Sequence, residues 1–268
     1  LRWRPEQGRL LIEQRPRATE KDSRISASEA ELLQQTNDLT LKGVVLLERW
    51  SNTSGPSNPD TTLRTGIAQW NLDSGLLSAV GPVLAQRRDR EGTVLEQLQG
   101  RALQGNTQAG DLMIQAPVVM RMPRQKGVLQ ALDTTWNFRT QTVRTEKPFE
   151  AELGNTRIDG QSFQAELEKT TVVVKGDCRI QQPGESLNAR TCRWNWGTEE
   201  VLAEGNVRLR RDDNEQMTRA GRLFGQVGDQ GRITFTAPGG KVQSQLRVPS
   251  EQPAGPNPRR RRSAPVEF

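Results

Sequence analysis

Apolar and polar residues alternate along most of this chain at a step of two. Leu39, Leu41, Gly43, Val45 and Leu47 form one such set. Leu112, Ile114, Ala116, Val118 and Met120 form a second, and Val172, Val174, Gly176, Cys178 and Ile180 a third. A step of two puts each set on one face of a β-strand and leaves the intervening Lys, Arg, Gln and Thr on the wet face. A second element precedes each of these strands. Ile158 and Gly160 share one parity, while Phe163, Ala165 and Leu167 have the other, which predicts a β-bulge at Gln161 or Ser162. The same offsets recur at Ile25, Ala27 and Ala30, and more weakly at Gly100 and Leu103 and at Gly221, Phe224, Ile233, Phe235 and Ala237. In all four places sixteen residues separate a leading small residue from a trailing one (27 and 43, 100 and 116, 160 and 176, 221 and 237). Hairpins are expected between them at Asn106–Gly110, Glu166–Thr170 and Val227–Gly231. The stretch SASEAELLQQ carries helix-capping features in Ser26 and Glu29, but it matches the other copies and is read as strand.

A second repeat interleaves with the first. Trp70-Asn71, Trp136-Asn137 and Trp194-Asn195 each stand eleven residues before Gly81-Pro82, Lys147-Pro148 and Gly205-Asn206, counted from the Trp. A period of about 60 residues in such a context is a repeated β unit. Leu77, Ala79, Gly81, Val83 and Ala85 keep one parity through the Gly-Pro position, and so do Val201, Ala203, Gly205, Val207 and Leu209. Gly or Pro in mid-strand marks a bend or a close backbone approach. Strands that all bend at their middles make a V or a flattened roll with an apolar inside. The Trp-Asn pairs fit either a periodic aromatic lining of that inside or strand-start residues whose rings cover one end of the sheet pair, and the spacing, which tracks the turns, favours the second. Trp196 breaks the repeat.

Connections are polar: Ser51–Thr62 (SNTSGPSNPDTT), Gln86–Thr93, and residues 121–127 and 181–186. Residues 1–23 form an N-terminal edge segment, with Trp3 and the run Leu10, Leu11, Ile12 as a first strand. Residues 24–248 form one elongated repeat domain. Residues 249–268 lack periodicity and are expected to be a disordered Pro/Arg-rich tail. The first residue is Leu1, which suggests that upstream sequence, a signal or an anchor, has been removed.

The chain has 268 residues, of which only 33% are hydrophobic, with 24 Gly and 15 Pro, a composition suited to short strands and many turns. Net charge is +6; the last ten residues carry four Arg against one Glu, or +3, so the remainder is also +3 and is not a nucleic-acid footprint. There is no His and no Tyr, which removes the commonest general base and metal ligand. Asp212-Asp213 is a lone acidic pair in a loop, and alternating Arg208, Arg210 and Arg211 read as an outer face. No catalytic residue, metal or cofactor is expected. Cys178 and Cys192 flank Pro183-Gly184. An oxidised pair closes a loop for which chain entropy gives about 3 kcal/mol, and a reduced buried thiol fits the Cys178 slot equally well.

The stretch WNFRTQTVRTEKPFEAELGNTRIDGQSFQAEL followed by TVVVKGDCRI, and the shorter CRWNWGTEEVLAEGNVRL, resemble the repeat of the lipopolysaccharide-export periplasmic proteins, the OstA-like β-jellyrolls. The likeness spans roughly residues 24–246 and is nearest to the membrane-anchored LptC branch, in a long form associated with cyanobacteria. It implies an all-β fold of repeated bent antiparallel strands forming a half-open, V-shaped β-jellyroll (a β-taco). It also implies lipopolysaccharide or a related amphiphile as ligand. The implied partners are the subunits of an inner-membrane ABC transporter and, through strand edges, the bridge protein LptA or an equivalent. Location in the periplasm, anchored to the inner membrane by an N-terminal helix, follows from the same resemblance.

Acyl chains leaving a membrane need an apolar path, because each CH₂ moved out of water gains about 0.8 kcal/mol. The inward candidates for such a path are Leu41, Val45, Leu112, Ile114, Val118, Phe149, Phe163, Val172, Val174, Val207, Phe224 and Phe235. The same alternation also describes a closed β-sandwich core. Two functions therefore stand side by side: a lipid-conveying groove, and a structural β-repeat that binds proteins through exposed strand edges. A glycan-acting enzyme ranks last, because no repeat supplies paired acids on neighbouring strands.

Overall fold

A computed structural model describes residues 2–51, 54–212, 215–226 and 242–245. The described chain is all-β: every strand pairing is antiparallel, and two single-turn 3₁₀ segments, Pro5–Gln7 and Pro123–Gln125, are its only helical turns. Among the described residues no helix is long and apolar enough to cross a membrane.

The sheet is folded once along its length, and the fold line can be read in the register. Strands Asp38–Arg49, Thr61–Asn71 and Leu76–Arg88 are interrupted in mid-strand at Lys42/Val45, Arg64/Ile67 and Val80/Val83, with a further shift at Arg87/Arg88 near a strand end. Strands Thr171–Gln182, Glu185–Asn195 and Glu200–Arg211 are interrupted alike at Lys175/Cys178, Asn188/Thr191 and Glu204/Val207. In the middle of the molecule the break is complete. Asp111–Ile114 and Val118–Met122 lie on opposite sides of the line, as do Thr142–Thr145 and Phe149–Leu153. Each interruption is an added residue that bends its strand. Gly176-Asp177 and Gly205-Asn206 take φ of 71° and 57°, and of 77° and 53°, a left-handed pair that only Gly, Asn and Asp adopt cheaply. The result is a half-open, V-shaped β-jellyroll with two arms that meet at a crease.

The first arm runs from Arg2–Arg4 through Arg9–Glu13 and Glu29–Leu33 to the leading or trailing halves of the long strands. The second begins at Arg17–Glu20 and Ser23–Ser26 and ends where Gln243–Gln245 pairs with Met217, Thr218 and Arg219. Both arms direct their apolar alternation inward, and those residues form one continuous core.

The Trp-Asn pairs close strands rather than open them: Thr61–Asn71, Thr134–Asn137 and Glu185–Asn195 each end on the Asn. The Asn side chain then builds the turn. Asn137 Oδ1 accepts from the amides of Arg139 and Thr140, both at 2.9 Å, and Asn195 Oδ1 from Gly197 and Thr198 at 2.9 and 3.1 Å. Asn71 does the same for Ser74 at 2.8 Å. These Asx turns leave the preceding Trp on the inner face at the lip of the first arm. Eleven residues after each Trp comes the crease, so the spacing measures the turn at the lip and one arm's length back from it.

Polar connections are shorter than the composition suggested. Leu76–Arg88 and Val94–Asn106 leave only residues 89–93 between them, and Pro183-Gly184 alone links the strands on either side. The expected hairpin at Val227–Gly231 and the tail at 249–268, with Phe235, Ile233 and Ala237, lie outside the described residues.

Candidate functional site

The inner faces of the two arms are where the chain gathers its apolar residues. Leu41, Val45, Leu112, Ile114, Val118, Phe149, Phe163, Val174 and Val207 are all buried there, and Val172 packs on the same core partly exposed. Phe149 on the second arm meets Phe163 on the first edge-to-face, with ring centroids 4.8 Å apart. Phe235 is outside the described residues.

Phe224 corrects the reading. It is 42% exposed and lies opposite Leu202 on the outer face, while Leu223 opposite Ala203 is buried. The inward set of this fourth copy is Thr218, Ala220, Leu223 and Gly225. It aligns with Ile158, Gly160, Phe163 and Ala165 and with Leu98, Gly100, Leu103 and Gly105, the first residues standing 60 positions apart (98, 158 and 218). Starting the copy at Gly221 shifts it by one residue, and a one-residue slip in a strand exchanges its two faces.

Through the middle of the trough the arms touch. Leu103, Leu112, Ile114 and Val118 are at most 1% exposed, and the space enclosed by Ala85, Leu98, Met120, Trp136, Val143 and Leu167 is only about 20 Å³. Toward the C-terminal end the arms diverge. A cavity of about 200 Å³ opens there, walled by Leu153, Ile158 and Ile180 with Leu187, Trp194 and Leu209. The apolar space deep between the arms thus widens toward this end, whereas the large side chains of Leu103, Leu112 and Phe163 fill the middle. The sequence reading missed Leu187 and Leu209 as cavity residues, and it favoured an end-covering role for Trp194 over a lining one. Their alternation is as regular as that of the others, but nothing local says where two faces part.

Cys178 and Cys192 form a disulfide, with Cα atoms 5.9 Å apart. Cys178 follows the crease on the second arm; Cys192, opposite Val174, lies on the first. The bond therefore ties the arms together beside the widening end.

One polar cluster braces the crease. Asp133 Oδ1 accepts from the Ala116 amide at 2.9 Å and its Oδ2 from Lys147 Nζ at 2.7 Å, while the Asp133 carbonyl accepts from Thr145 Oγ1 at 2.8 Å. The lysine contact first, and the amide second, hold the Asp133 carboxyl below its ordinary range. A carboxyl lowered in the folded state adds stability above its unfolded pKa and loses it as pH falls through the folded value. Asp133→Asn should therefore lower stability by up to about 1 kcal/mol near neutral pH. The deficit relative to wild type should shrink only below about pH 4. Thermal melts of both proteins from pH 7 to pH 2.5 check this, and a deficit independent of pH would contradict it.

Among the described residues no group of three or more Cys, Asp or Glu is placed to hold a metal ion. No protein-family model matches the chain and no curated protein matches it in sequence. Among solved structures it is similar to LptH, the LptA-homologous periplasmic component of the lipopolysaccharide transport device of Pseudomonas aeruginosa. The likeness has 14% identity and a TM-score of 0.38 over 57% of this chain and 95% of that one, values that establish neither family nor function.

Proposed function

We propose that this chain is a non-enzymatic lipid-conveying protein of the lipopolysaccharide-export periplasmic family, which holds acyl chains between the arms of its V. The observation that carries the reading is the cavity of about 200 Å³ at the C-terminal end, whose wall of Leu, Ile, Val and Trp continues the inner faces and is joined by Thr156, Gln182, Glu185 and Glu199. Apolar walls with one open end suit a flexible hydrocarbon. Ten methylenes kept from water there retain about 8 kcal/mol, which is enough to hold an acyl chain without any covalent step. The cavity is smaller than a whole ligand, so the arms part further along the trough as a chain enters.

The repeat resemblance extends the proposal. The chain acts as an LptC-like member in the periplasm, held to the inner membrane by a helix preceding Leu1, with 1–23 as its edge segment and 24–248 as its single trough. It receives amphiphile from an inner-membrane ABC transporter and passes it to a bridge protein equivalent to LptA through a strand edge.

The filled middle of the trough favours a second reading, a closed β-repeat that binds protein partners by its edges. A photo-crosslinking phenylalanine analogue separates the two. Placed at Trp194 or Leu209 and irradiated with lipopolysaccharide, it should capture lipid; placed at Phe224, on the outer face, it should not. Capture at Phe224 alone would end the trough reading, and capture at none of the three in folded protein would leave the closed repeat.

A further inference from the structure

At the free lip of the second arm the inner face changes character. Val45 and Leu47 are followed on that face by Arg49, Val83 and Ala85 by Arg87, and Leu98 is preceded by Glu96. Arg87 and Glu96 answer one another in a two-pronged pair at 2.6 and 2.7 Å. Arg49 reaches across the mouth. It donates to Asp22 at 3.2 Å and to the Phe138 carbonyl on the opposite lip at 3.1 Å, with its guanidinium carbon 5.5 Å from the centre of the Phe138 ring.

Above this crossing lies a wedge of about 550 Å³ between the lips. Five arginines reach it against three acids, Asp60, Asp89 and Glu168. Three of the five have no carboxylate partner among the described residues. Arg88 donates only to the Gly92 carbonyl and the Gln86 side chain, at 3.0 and 2.7 Å. Arg139 donates to the Thr107 carbonyl at 3.1 Å and lies over Phe138 at 5.8 Å. Arg90 is exposed, and no ion pair engages its guanidinium among the described residues. Of the acids, Asp89 is already engaged by Arg124, and Asp60 accepts from the Ser51 amide at 2.7 Å. The wedge thus carries an excess of guanidinium groups, whose planar forks match tetrahedral oxyanions. It adjoins the trough: the narrow cavity lined by Trp136 and Met120 shares Arg87 with it.

We propose that the wedge is a binding site for a phosphate-class anion, the headgroup of an amphiphile whose chain lies between the arms. This second half rests on the trough reading; the anion site itself rests on the arginines. Dodecyl phosphate and dodecyl maltoside, titrated below their micelle concentrations into the full chain, are the probes. Wild-type protein should bind the phosphate amphiphile more tightly by about tenfold or more, the scale of one or two hydrogen bonds to a charged group. In Arg88→Gln/Arg139→Gln the ratio of the two affinities should fall to near one, and in Arg88→Lys/Arg139→Lys part of it should survive. A ratio unchanged by the glutamine pair overturns the proposal. If neither amphiphile binds, the trough reading fails, and inorganic phosphate decides the wedge. Phosphate-induced shifts of arginine Nε resonances, lost in the glutamine pair, uphold the anion site; their absence in wild type overturns it.

Discussion

Gly100→Ala should cost this protein about 2–3 kcal/mol, the range of an overpacked core, although the change adds a single methyl. A β-carbon at Gly100 would fall inside the contact shell of Ile114 Cγ2 and stand 3.0 Å from the Gln115 carbonyl oxygen. Ile114 is fully buried and β-branched, so it has one favoured rotamer and nowhere to retreat. The repeat supplies its own control. Gly160 faces Val174 in the same way, a β-carbon there falling inside the shell of Val174 Cγ1. In the first copy the small position is Ala27 and the residue at the place of Ile114 is Leu41, which has no branch at Cβ. Glycine is thus paired with a β-branched neighbour and alanine with leucine. Gly100→Ala/Ile114→Leu, which recreates the first copy's pair, should therefore recover a large part of the loss in a double-mutant cycle. Denaturant midpoints of the four proteins measure it. Additive losses would show that the cost of Gly100→Ala arises elsewhere.

That pairing also shows what the sequence made legible and what it did not. Period-two alternation fixed which residues face inward, because burial of one face is the strongest constraint a strand carries. The slip between Gly160 and Phe163 marked the right level, but the structure puts the added residue on the opposing strand at Gly176-Asp177, where the Gln161 amide donates to both Lys175 and Gly176 carbonyls, at 3.1 and 2.9 Å. The crease was legible because Gly205-Asn206 and Gly81-Pro82 have few other uses in mid-strand. Phe224 was misplaced because the fourth copy has two candidate small residues, Ala220 and Gly221, side by side, and the pattern was anchored on the wrong one. The Trp-Asn pairs were put at strand starts because an Asx turn at the end of one strand and the start of the next are separated by only a few polar residues. The separation of the arms was not legible at all. Alternation is identical in a filled sandwich and in an open trough, and the difference lies in side-chain volumes summed across two faces distant in sequence. Lip arginines such as Arg49 and Arg87 escaped notice for a related reason. They keep the inward parity of their strands, and only the length of each arm reveals that the inner face has by then reached water.

Breaking the Cys178–Cys192 bond should destabilise the chain by about 3 kcal/mol, the chain-entropy value for a loop of this length, its ends being 14 residues apart. Both cysteines are buried, at 1% exposure, so Cys178→Ala/Cys192→Ala adds a small cavity cost to the lost cross-link. Reduced wild-type protein keeps the volume and isolates the cross-link. Urea unfolding of the oxidised, reduced and doubly substituted proteins should give that order of stability. A reduced protein within about 1 kcal/mol of the oxidised one would mean that the crease alone holds the arms in register here. Position gives the bond a second consequence. Cys178 stands two residues before Ile180, and Cys192 two before Trp194, both in the wall of the open cavity. The tie thus fixes the separation of the arms at the end where they diverge. Without it the arms at that end are joined through the crease, since pairs such as Leu187 with Leu209 lie within the second arm and do not bridge to the first. Reduction should therefore change the yield of lipid captured by a crosslinker at Trp194 while leaving one at Leu112, in the filled middle, where it was. Equal changes at both positions would show general loosening, and the disulfide would then be a staple for stability with no part in setting the width of the trough.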